Sequence, residues 1–140
     1  MSKKMSAKEY LQQSFEIPDK IRDKKRKRRD LFELAVGGSY DTTGTGGRSN
    51  AISDKVGKTA GRIADLDSEI ERLFDLQNEI EEMINKVKCE KSRKLLYKRY
   101  VLLLSWEHVA VEIGYTYRHT LSLHGDALIE FNKNFHPDFI

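Results

Sequence analysis

At 140 residues, with 34% charged and 39% hydrophobic residues, the chain accommodates one domain, or one small domain with a helical extension, and not two catalytic domains. Its single cysteine, Cys89, excludes an internal disulfide and a four-cysteine zinc site, so a reducing compartment, the cytoplasm, is expected. Net charge is only +3 but unevenly placed: residues 1–35 hold 11 Lys/Arg against 6 Asp/Glu, residues 52–90 hold 6 against 10, and residues 91–140 hold 7 against 5. The polar opening Ser2, Lys3, Lys4 and the lack of any apolar run near the ~18 residues that span a bilayer argue against export and membrane insertion.

The first expected element is a helix over residues 8–35. Tyr10, Ile17, Ile21, Leu31 and Leu34 recur at spacings of three, four or their sums, which makes an interrupted apolar stripe. Pro18 either kinks this helix or opens a fresh one, since an interior proline costs roughly 3 kcal/mol. Residues 20–29 carry eight basic side chains in ten positions. Lys24, Lys25, Arg26, Lys27, Arg28 and Arg29 are candidate phosphate contacts, because neutralising a polyanion releases counterions. The same run equally suits a solvated helix face or pairing with an acidic neighbour.

From residue 36 to 51 periodicity vanishes in a stretch rich in glycine, which is expectedly a linker. It lacks the Gly-Lys-Ser/Thr of a phosphate loop. A heptad seam follows. Val56, Ile63, Ile70, Gln77 and Ile84 fall seven apart, as do Thr59, Leu66, Leu73, Ile80 and Val87 three residues later. They predict a long helix from Asp54 to Lys88, of the order of 50 Å at 1.5 Å per residue. Phe74, Leu76 and Met83 widen its stripe. Such a face needs a mate, either the first helix folded back as an antiparallel hairpin or a second copy of the chain, giving a homodimer or higher homo-oligomer. Residues 1–90 thus read as a coiled-coil-like hairpin arm.

Residues 91–140 read as a separate module of shorter helices. Lys91 to Leu103 forms one, with Leu95, Leu96, Tyr100 and Leu103 inward and Lys91, Arg93, Lys94, Lys98 and Arg99 outward; Lys94 and Lys98 join the phosphate candidates. Ser105 is a natural N-cap for Trp106–Ile113, Gly114 stops that helix, and Thr116 caps a third from Tyr117 to about Asn132. Val109, Ala110 and Ile113 can meet Thr120, Leu123, Ala127, Leu128 and Phe131 at one centre, where the small Ala110 permits a close crossing. Trp106 and Tyr100 are expected core anchors. Two short helices joined by a tight glycine turn form the frame of a helix-turn-helix. Tyr117, Arg118, His119, Leu121, Ser122 and His124 are left on or near the outward side of the last helix, the surface that can enter a major groove. Arg118 is the one fixed positive charge between Ser105 and Asn132.

Catalysis is not expected. His108 and Glu112 lie four apart, but no further ligand spacing completes a metal site, and Cys89 has no histidine near it in sequence. No cofactor is implied.

The run Leu95-Leu96-Tyr97-Lys98-Arg99-Tyr100, then Ser105-Trp106-Glu107-His108-Val109-Ala110, Ile113-Gly114-Tyr115-Thr116, Leu123 and Ala127-Leu128 resembles the fourth region of bacterial sigma factors. It is more similar still to small phage regulators of the ArpU and RinA type, whose opening also looks like Met5-Ser6-Ala7-Lys8-Glu9-Tyr10-Leu11. The resemblance covers residues 91–131 well and the N-terminal arms loosely. It implies an all-α regulator encoded by a phage or prophage and working in a bacterial host, which acts on double-stranded promoter DNA and touches RNA polymerase. Two other readings stand beside it: a protein-interaction module that never reads bases, and the small subunit of a phage terminase, which tends to carry its DNA module first.

Overall fold

The computed structural model describes residues 5–37 and 49–135, and every regular element among them is helical, so the chain is all-α. Six α-helices follow in order: α1 Ala7–Gln12, α2 Ile17–Gly37, α3 Ser49–Asn85, α4 Glu90–Leu96, α5 Trp106–Ile113 and α6 Tyr117–Asn132. A 3-10 turn, Gln13–Phe15, separates α1 from α2, and a π-helical turn, Tyr97–Val101, extends α4. Most of the glycine-rich stretch expected as a linker, residues 38–48, lies outside the described residues. No helix among the described residues is long and apolar enough to cross a membrane.

Pro18 explains the first break. It is the second residue of α2, where a missing N–H costs nothing because first-turn donors have no acceptor within the helix. The helix therefore restarts, and α1 is capped separately by the Ser6 hydroxyl, which accepts from the Glu9 N–H.

The contacts group into two compact units, Met1–Pro18 with Asp75–Ile140, and Asp19–Phe74. This grouping differs from a division at residue 90, and the reason is the apolar burial at both ends of the sequence. In the first unit Leu11, Ile80, Ile84, Val87, Leu95, Leu96, Val109, Ala127 and Phe131 are all within 1% of fully buried. Each such aliphatic side chain contributes roughly 1.5–3 kcal/mol on leaving water. The Tyr10 ring lies 6.1 Å from Phe131 and 4.9 Å from Phe135, which ties α1 to the end of α6. Its hydroxyl donates to Glu79 Oε2 at 2.6 Å, and burial, then that carboxylate, push the phenol pKa up. Buried hydroxyls are likewise satisfied: Ser14 donates to the Leu11 carbonyl, and Thr120 Oγ1 to the Thr116 carbonyl at 2.8 Å.

The segment expected as one helix from Lys91 to Leu103 is shorter. The α-helix ends at Leu96, the π turn follows, and Leu103 has a left-handed φ of 59°, a conformation that costs a non-glycine residue about 1–2 kcal/mol. Two hydrogen bonds bracket that strain, Leu104 N to the Lys98 carbonyl at 3.1 Å and Arg99 Nη1 to the Leu104 carbonyl at 2.8 Å. Arg99, expected to point outward, is instead drawn in. Its guanidinium carbon lies 4.6 Å from the ring centroids of both Phe15 and Trp106.

In the second unit Ile21, Leu66 and Ile70 are buried, and residue pairs run in opposite senses along α2 and α3. Lys24 Nζ meets Glu69 Oε2 at 2.8 Å, and Arg28 Nε meets Asp67 Oδ1 at 2.6 Å. Lys25 Nζ sits 5.3 Å from the Phe74 ring centroid. Of the expected first-helix stripe, Leu34 is 68% exposed, and at the start of the heptad seam so is Val56 at 43%.

Candidate nucleic-acid interface

The candidate surface rests on two well-capped helices. Ser105 Oγ accepts from His108 N at 3.2 Å to start α5, and Thr116 Oγ1 accepts from His119 N at 3.1 Å to start α6. Between them Gly114 takes φ +77°, the left-handed conformation that closes a helix and reverses the chain. Its N–H and that of Tyr115 both return to the Ala110 carbonyl, at 3.0 and 3.1 Å. Val109, Ala110, Thr120, Ala127 and Phe131 are buried, while Ile113, Leu123 and Leu128 are half-buried.

Because Thr120, Ala127 and Phe131 fix the inward side of α6, Tyr117, Arg118, His119, Leu121 and Ser122 are turned to solvent. Tyr117 is 47% and Leu121 39% exposed. The His119 ring stacks on Tyr115, with centroids 4.5 Å apart and planes at 24°. Lys91 Nζ in turn lies 5.7 Å from the Tyr115 centroid, and the Tyr115 hydroxyl holds the lysine pKa up. This ladder from α4 to α6 escaped the sequence reading, although the four-residue spacing of Tyr115 and His119 was a signal for it.

His124 departs from the outward set. Its Nε2 is 2.8 Å from the Tyr100 hydroxyl and its ring packs edge-on to Trp106 at 4.5 Å. Burial, with Lys8 and Arg99 nearby, lowers its pKa from 6.5 to about 4. Seven residues fall about 20° short of two turns, so His124 lies between Tyr117 and Thr120 around α6, and Tyr100 and Trp106 packed against that flank cover it.

The basic candidates divide. Lys98 Nζ is bound to Glu112 Oε1 at 2.7 Å, and His108 Nε2 approaches the other oxygen at 3.1 Å; Lys98 and then His108 hold the Glu112 carboxyl below its usual range. Lys94 pairs with Glu90 at 3.0 Å. Lys24, Lys25 and Arg28 meet α3 as described, and Lys24 first, then Lys27 among others, hold the Glu69 carboxyl below its usual range; Lys25, Arg26, Lys27 and Arg29 are exposed. Among the described residues no cluster of three His, Cys, Asp or Glu is placed to hold a metal ion.

No protein-family model, curated protein or solved structure matches the chain.

Proposed function

We propose that the chain is a DNA-binding transcriptional regulator that sets α6 in the major groove of promoter DNA. The observation that carries this reading is the run Tyr117, Arg118, Leu121 and Ser122, exposed on the first turns of a helix that follows a tight left-handed glycine turn. Arg118 is the side chain suited to guanine edges, Ser122 accepts or donates, and Leu121 can meet a thymine methyl. Arg26, Lys27 and Arg29 supply sequence-independent affinity for phosphates. The likeness of residues 91–131 to sigma-factor region four and to phage regulators of the ArpU and RinA type supports a phage or prophage origin and a bacterial cytoplasmic setting.

The test is selection of duplexes from a random-sequence pool, followed by gel-shift titration of the selected duplex at several salt concentrations. A recovered consensus, with affinity falling as salt rises, supports the reading; no shift even at low salt removes it. One observation favours a second reading, a protein-interaction module. A single fixed cation on α6 stands beside the exposed apolar side chains of Tyr117 and Leu121, so a polymerase subunit or another regulator, or a second copy of the chain, is the partner if DNA is not.

A further inference from the structure

Within the first unit a groove of about 550 Å³ runs between α4, the π turn and α5, and reaches α6 at Leu123. Its lining joins the apolar side chains Leu102, Ile113 and Leu123 to the cations Lys91, Arg93, Lys94 and Lys98. The groove is open: Leu102 is 50% exposed and the Lys94 side chain 62%. An enclosed site would cover most of a small ligand, whereas an open trough of this kind leaves such a ligand half in water. A helix laid against it can instead bury apolar anchors on Leu102, Ile113 and Leu123 and present charge to the lysines.

We infer that this groove docks an acidic amphipathic helix from a partner protein. Charge decides the class of occupant. Four cations, Lys91, Arg93, Lys94 and Lys98, line the groove beside its leucines and Ile113, and only Glu112 among the lining residues is acidic. The carboxylates that now hold Lys94 and Lys98, Glu90 and Glu112, are both on this chain and at the surface, so a partner's carboxylates can join or replace them. A DNA backbone would satisfy the lysines but would leave Leu102 and Leu123 without an apolar contact. The groove also lies away from the proposed DNA face. At 100° per residue, Leu123 stands about 140° from Arg118 and about 160° from Leu121 around α6, so those two side chains stay clear of a helix in the groove, while Ser122, about 100° away, borders it. The inference does not depend on the DNA reading.

The probe is a fluorescein-labelled helical peptide of about sixteen residues, with leucines at i, i+3, i+4 and i+7 and glutamates between them. Anisotropy is read on the full chain, beside a lysine-for-glutamate version of the peptide and a labelled duplex of random sequence. The acidic peptide is expected to bind with at least ten-fold preference over the lysine version. Leu102→Asp and the double variant Lys91→Glu/Lys94→Glu are each expected to weaken it ten-fold or more, with duplex binding unchanged by Leu102→Asp. Circular dichroism melts of the same variants establish that they fold. Equal binding of the two peptides, no binding of the acidic one, or binding indifferent to Leu102→Asp overturns the inference. Displacement of the acidic peptide by the random duplex assigns the groove to phosphate and overturns it as well.

Discussion

Replacing His124 by glutamine should flatten the acid side of the stability profile. Folded, the imidazole has a pKa of about 4, against an ordinary 6.5. Between those values the unfolded chain binds a proton that the folded chain refuses, so stability falls as pH drops from 6.5 towards 4 and is unaffected by this group above 6.5. At about 1.4 kcal/mol per pH unit the full span corresponds to about 3 kcal/mol for a dry site; the ring is only partly buried, and solvent screening reduces this to about 1–2 kcal/mol. The groups facing the ring are the cations Lys8 and Arg99, the Tyr100 hydroxyl and Trp106, and no carboxylate among them compensates. Urea denaturation at pH 7.0, 6.0, 5.0 and 4.5 gives the profile, and the proton shift of the His124 ring gives the titration directly. Wild type should lose stability through this window by about 1–2 kcal/mol more than His124→Gln. A His124 ring that titrates near 6.5, or parallel profiles for the two proteins, refutes the argument.

Gly114→Ala should cost about 1–2 kcal/mol, all of it backbone, because φ is +77° and nothing lies within 4 Å of the added Cβ; Gly114→Asn should cost less, and thermal melts separate the two. Arg99→Met should destabilise by about 2–3 kcal/mol in urea titration, the sum of two ring contacts and a charged hydrogen bond to the Leu104 carbonyl, with Arg99→Lys recovering only part. Arg118→Ala should leave the melting temperature unchanged and weaken binding to a selected duplex by about 1–3 kcal/mol in gel-shift titration, and an unaltered affinity would remove the main base contact.

Helix content and the caps of the last two helices were legible because each is a local property. Ser105, Gly114 and Thr116 announce themselves by type and spacing, and the structure uses each in that role. What escaped the sequence came from contacts distant along the chain. Nothing around Arg99 indicates that Phe15, more than eighty residues earlier, holds its guanidinium. The outward assignment of Arg99 failed for that reason, and the π turn that reorients it has no sequence signature. His124 sits at an α6 position adjoining both outward and inward sides, and periodicity alone cannot settle such a flank. Tyr100 and Trp106 settle it. In the same way the heptad seam announced a long helix, yet its residues divide: Ile80, Ile84 and Val87 are buried in one unit and Leu66 and Ile70 in the other.

Packing within the first unit also fixes how α6 is held. Its inward side is fixed by Thr120, Ala127 and Phe131, all fully buried, and Tyr10 from α1 locks the last of these. A helix clamped along one side over three turns cannot roll to bring Leu123 or His124 outward without opening a cavity, and losing a buried ring such as Phe131 costs about 3–5 kcal/mol. The exposed side chains of Tyr117, Arg118, Leu121 and Ser122 carry none of that burden, so they are free to change without loss of stability. The physical separation lets one helix serve a rigid core on one side and a substitution-tolerant face on the other.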